Sequence, residues 1–138
     1  MNLGTGTRLF MERKKGRSED FRAFLAEVRS CYRGWHVALL LDEDSCHTAL
    51  ASLHDACAMT LLWLPKRSPQ LNPMDTLWGQ GKDVISANKQ YAAIDEQAER
   101  FLAYLRGMSS REALHTSGVL SKDFWLRRAL SKDFCSPA

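Results

Sequence analysis

Residues 36–42 read HVALLLD and residues 60–65 read TLLWLP, and these two runs decide the fold class. Each is short, apolar at consecutive positions and ended abruptly, the first by Asp42 and the second by Pro65. A strand with one wet face alternates apolar and polar side chains. A run apolar at every position therefore predicts a central strand of a parallel sheet, covered by helices on both faces. Between the runs, residues from about Thr48 to Cys57 suit a helix. Strand, helix, strand in this order is a parallel pair joined by a right-handed crossover.

Reading outward keeps the same architecture. Before the first run, Ser18 reads as an N-cap with Glu19 and Asp20 in the first turn. Phe21, Phe24, Leu25 and Val28 then recur at helical spacing, so a helix runs from about Glu19 to Cys31. Beyond the second run, Asn72 followed by Pro73 is a helix start, N-cap then proline at the first position, with Met74, Leu77, Trp78 and Ile85 on the buried face. After Gln90 the pattern is helical throughout. Ile94, Ala98, Phe101, Leu102 and Leu105 lead to Gly107, Ser109 and Glu112 form a capping box, and a short Phe124–Leu126 segment follows. At the start, Gly4, Thr5 and Gly6 signal a turn, and Leu9, Phe10 and Met11 suit a short strand leaving a hairpin.

The chain of 138 residues, 45% hydrophobic and 25% charged, fits one globular domain. Nineteen Lys and Arg against 16 Asp and Glu give a net charge of +3. That balance permits a polyanionic partner without requiring one. No apolar run approaches the roughly twenty residues of a membrane span. Cys31, Cys46, Cys57 and Cys135 include no CxxC pair and no secretory leader precedes them, so reduced thiols and a cytoplasmic location are expected. Cys46, His47, His54 and Cys57 could be drawn as a zinc site, but they lie too close in sequence for the usual two-knuckle spacing.

Ligands of open parallel sheets gather at the carboxyl ends of strands. Asp42 occupies such an end, followed by Glu43, Asp44 and His47. A carboxylate beside so apolar a strand is costly unless paired or bound to a cation, and a hard ion such as magnesium would satisfy it. Taken locally, Asp42 reads more readily as a turn former than as a ligand. Asp75, in the first turn of the helix after Asn72, is locally a helix-dipole partner. A strand-end and a helix-start aspartate together are what two-metal phosphoryl chemistry draws from separate elements.

The strings LLLDEDSCHTA (39–49) and LWLPKRSPQLNPMDTLWGQGK (62–82) resemble adjoining catalytic motifs of mariner-type bacterial insertion-sequence transposases of the DDE superfamily. Residues 87–102 and 109–126 resemble the helical C-terminus of one branch of these enzymes, and MNLGTGTRLF the middle of a hairpin in the same domain. The resemblance implies an α/β, ribonuclease H-like (integrase-type) fold, N-terminally truncated and with extra C-terminal helices. Residues 1–90 would be the partial core lacking the first catalytic strand, and 91–138 a helical extension of the same domain. It further implies that Asp42 is the second catalytic and metal-binding carboxylate and Asp75 the third, with His47 matching the family histidine. Ser68, Pro69, Leu71, Asn72 and Pro73 match the loop. The cofactor is then Mg2+ or Mn2+ and the partner DNA, with Lys66, Arg67 and Lys82 placed to meet phosphates. Lys66, Arg67 and Lys82 can equally be solvated surface residues, and the run Arg13, Lys14, Lys15 and Arg17 fits a solvated loop better.

Three departures qualify the match. The family's first catalytic Asp has no counterpart among these residues, nor has its end-recognising helix-turn-helix. Glu43 replaces the usual Asn, and Asp75 stands where many relatives have Glu, although mariner-like members use Asp. The expected function is thus a fragment of a metal-dependent DNA strand-cleaving and strand-transferring domain, inactive alone. It would be completed by a second polypeptide or a full-length transposase, and oligomers would be compatible with it. The alternative is a non-catalytic remnant that binds DNA or a transposase chain. A phosphatase-like domain with Asp42 as nucleophile lacks the phosphate-cradling glycine loop.

Overall fold

In the helix α1, Ser18–Cys31, the apolar positions Phe21, Leu25 and Val28 fall on one stripe and are buried. The computed structural model describes residues 1–12, 17–43, 45–48, 59–87, 91 and 93–130. Arg17, one residue earlier than the expected Ser18, is the N-cap of α1, and the Asp20 carboxylate accepts a hydrogen bond from the Arg17 amide at 3.1 Å. Strand β1, Val37–Leu41, pairs in parallel with β2, Met59–Trp63, in the register Val37 to Met59 through Leu41 to Trp63. Between them the helical turn α2, Ser45–Thr48, is described. The remainder of the expected crossover helix lies outside the described residues.

The described residues fall into two compact units. The residues from Leu9 to Asn72 form one, and those up to Arg8 together with those from Pro73 onward form the other. The first unit has its core between α1 and one face of the sheet, where Phe21 and Leu25 pack with Phe24, Leu39, Leu41, Met59 and Leu61. Leu40 and Leu62 are register partners and so share the opposite face. Leu62 is 42% exposed. The expectation of burial on both faces is therefore corrected. Among the described residues helix α1 covers one face of a two-stranded sheet, and the apolar run reflects a pair of strands with cover resolved on one side.

The second unit is helical. Helix α3, Pro73–Ser86, packs against α4, Ile94–Gly107, and against α5, Ser110–Thr116; a last helical turn, α6, covers Arg127–Leu130. Leu77 and Leu105 are fully buried, and Ala113, Leu114 and Val119 are buried in the same unit. The Trp78 and Phe101 rings stack with centroids 5.0 Å apart. Ser109 caps α5 as read from the sequence: its hydroxyl accepts from the Glu112 amide at 3.2 Å, and the Glu112 carboxylate accepts from the Ser109 amide at 2.7 Å.

The opening residues form the expected turn but not the expected strand. The Asn2 side chain accepts from the amides of Gly4 and Thr5, and Gly6 turns in a left-handed conformation, φ +77°, against the Ser110 carbonyl. Arg8 donates to the carbonyls of Met108 and Ser109. Leu9, Phe10 and Met11 join no ladder among the described residues. A strand needs a partner to satisfy its backbone, and sequence preference alone does not supply one.

Candidate active site

Both strands of a parallel pair end on the same edge of the sheet, and the ladder here continues past the strand proper. The Leu64 amide donates to the Leu41 carbonyl at 2.8 Å. The loops that leave the two strands are therefore neighbours, one opening with Asp42 and Glu43, the other with Pro65 and Lys66. Lys66 Nζ lies 3.1 Å from Glu43 Oε2 and ties the two loops together. Both partners are well exposed, so the pair contributes at most about 1 kcal/mol to stability.

Asp42 leaves β1 with its side chain 58% exposed, and His47 turns back toward it from α2. The His47 Nδ1 is 3.0 Å from Asp42 Oδ1 and 3.2 Å from the Asp42 carbonyl oxygen. The imidazole itself sits against Phe21, ring centroids 4.5 Å apart. Sequence reading placed Asp42 and His47 in one motif without linking them, and the only local signal was their spacing of five residues. The ion pair of Glu43 with Lys66 was not foreseen either, since it joins loops 23 residues apart in sequence.

Asp75 lies in the first turn of α3, exposed at its surface, where the expected Asn72–Pro73 helix start is realised after a single turn of 3-10 helix, Pro69–Leu71. Lys82 is exposed seven residues further on, hence on the same face of that helix two turns away. Arg67 is exposed with φ +56°, a left-handed backbone that a glycine would hold at lower cost. Asp42, Glu43, His47 and Lys66 are thus brought together within the first unit, while Asp75 and Lys82 belong to the helix that opens the second.

Carboxylate oxygens are the donors that hard divalent cations take. Among the described residues no group of three or more His, Cys, Asp or Glu side chains gathers closely enough to hold a metal ion. His54, Cys57 and the Cys46 side chain, considered for zinc, lie outside the described residues. No helix among the described residues is long and apolar enough to cross a membrane.

Comparison with known proteins adds the family. The chain is 34% identical over 80 residues to the uncharacterized protein y4pE/y4sA of Sinorhizobium fredii (strain NBRC 101917 / NGR234), an overlap covering 57% of this chain. The chain spans 58% of that relative's length. No solved structure matches it. The family profile described as DDE superfamily endonuclease matches residues 1–97, which include both loops and the start of α3. The chain therefore belongs to the DDE superfamily endonucleases.

Proposed function

We propose that this chain is the C-terminal part of the catalytic domain of a mariner-type transposase. In this reading the domain is ribonuclease H-like, residues 1–90 are part of its core and residues 91–138 its helical extension. The observation that carries it is Asp42 at the carboxyl end of a parallel strand pair, within a sequence of a DNA-cleaving superfamily. Asp42 and Asp75 are two carboxylates of a site for Mg2+ or Mn2+. Such ions, when bound, supply Lewis acidity to the attacking and leaving oxygens of a DNA phosphate. Asp42 offers carboxylate oxygens from a rigid strand end, and Asp75 offers them from a helix start. Lys66, Arg67 and Lys82 hold the DNA backbone as point charges that position the strand without reading its bases. The left-handed backbone at Arg67 supports this reading, because strain retained at a position where glycine is cheaper concentrates at functional sites.

Two carboxylates are fewer than a two-ion site needs. The activity then requires a further carboxylate from outside these 138 residues, which by themselves cut DNA little or not at all. Two measurements test this. Supercoiled plasmid incubated with the chain and Mg2+ or Mn2+ is expected to stay intact, and nicking that Asp42→Ala abolishes would show the site to be sufficient alone. Mn2+ is expected to broaden the nuclear magnetic resonance signals of Asp42 and Asp75. Signals that stay sharp at both residues would remove the metal role, leaving a chain that binds DNA or a transposase without cutting.

A further inference from the structure

We infer that His47 is the positioning residue of Asp42, donating from Nδ1–H so that one carboxylate oxygen is fixed and the other is left for a divalent cation, with His47 itself not a ligand. The inference rests on the reading of Asp42 as a metal-binding carboxylate. Both atoms that face His47 Nδ1, Asp42 Oδ1 at 3.0 Å and the Asp42 carbonyl oxygen at 3.2 Å, are acceptors. An ionised carboxylate and a carbonyl have no proton to give, so Nδ1 carries the hydrogen whatever the charge on the ring. The same nitrogen therefore grips the side chain and the backbone of one residue. A side chain 58% exposed would otherwise exchange among staggered rotamers.

The grip is anchored. His47 is 23% exposed and its ring lies against Phe21, which is 8% exposed and packs with Leu25 in the core between α1 and the sheet. A line of contact thus runs from the core through Phe21 and His47 to the Asp42 carboxylate. Lys66, on the neighbouring loop, pairs with Glu43. Groups that hold a metal-binding side chain from behind typically matter about 10- to 100-fold in metal affinity.

Two substitutions separate the donor from the ring. His47→Phe keeps an aromatic face for Phe21 and removes the hydrogen; His47→Asn keeps an N–H at nearly the same place and removes the ring. In the metal-free 138-residue chain, three-bond couplings should report one Asp42 χ1 rotamer in the wild type and in His47→Asn, and averaging in His47→Phe. Equal averaging in wild type and His47→Phe overturns the proposal. In a Mn2+ titration followed at Asp42, His47→Phe should bind about tenfold more weakly, at the lower end of that range, and His47→Asn nearly as well as wild type. The opposite order would assign His47 to packing, and weak binding by both with the rotamer still fixed would make His47 a ligand; each overturns the proposal. Asp42→Asn separates the two readings. If it leaves Mn2+ binding unchanged, the metal role of Asp42 fails, while the rotamer measurement still decides whether His47 holds it.

Discussion

Glu43 stands where the transposases that its motif resembles usually carry Asn, and its carboxylate takes Lys66, one of the three cations proposed to meet DNA phosphates. A phosphate must therefore compete with Glu43 for that ammonium. An exposed pair of this kind is worth up to about 1 kcal/mol, so its removal corresponds to at most about fivefold in affinity. Glu43→Gln is accordingly expected to tighten DNA binding two- to fivefold, on the order set by that pair, and to cost the fold no more than the same about 1 kcal/mol. The gain should vanish in a Lys66→Ala background, which a double-mutant cycle by fluorescence anisotropy would show. Glu112 offers a second residue-scale prediction. The Ser109 hydroxyl and then the Ser109 amide hold its carboxyl below the ordinary 4.5. A depressed carboxylate stabilises the fold above its unfolded value and loses that contribution as pH falls through the lower folded value. The Tm difference between wild type and Glu112→Gln should thus be present near neutral pH and shrink as pH drops below 4.5. Single residues were unevenly legible in the sequence. The Ser109–Glu112 box is local and could be read directly, and Asp42 could be placed at a strand end. The grip of His47 and the pairing of Lys66 depend on two loops meeting at one sheet edge, which no local pattern encodes.

Helices were the most legible elements, because a buried stripe at a period of 3.6 residues leaves its record in the sequence. Phe21, Leu25 and Val28 fixed α1, and Asn72 with Pro73 fixed the start of α3. The strands were legible as strands but not in their cover. A run such as VALLL is the same whether one face or both are buried, and here Leu62 remains 42% exposed. Leu9 to Met11 misled for a related reason: strand preference is expressed through a partner, and none pairs there among the described residues. Close approach between helices was not legible either. A Cβ on Gly81 would stand 2.6 Å from Phe101 Cε2, in the ring that stacks on Trp78. Alanine there gains about 1 kcal/mol of helix propensity but forces the ring aside, an overpacking that costs about 1–3 kcal/mol. The second effect should win, because a shifted ring also disturbs the stack of Phe101 on Trp78. Gly81→Ala is expected to lower Tm and alter tryptophan fluorescence, whereas an unchanged spectrum with a raised Tm would mean that the ring yields freely.

At the scale of the whole molecule, charge says how firmly the chain can hold DNA. Nineteen cationic side chains are nearly matched by 16 anionic ones, so a net charge of +3 gives weak long-range attraction. Affinity must then come from a few cations meeting phosphates directly. Each phosphate neutralised on duplex DNA contributes a slope of about −0.9 to log K against log salt. If Lys66, Arg67 and Lys82 meet one phosphate each, the measured slope should lie near −3, since three contacts at about −0.9 apiece set it. Duplexes of unrelated sequence should bind alike, because backbone contacts position a protein without distinguishing bases. Replacing all three cations by alanine should flatten the slope toward zero and weaken binding at low salt most. A steep slope that survives the triple substitution would place the DNA-contacting surface elsewhere on the chain. A strong preference for one duplex would show base readout, which three exposed cations on the backbone do not provide.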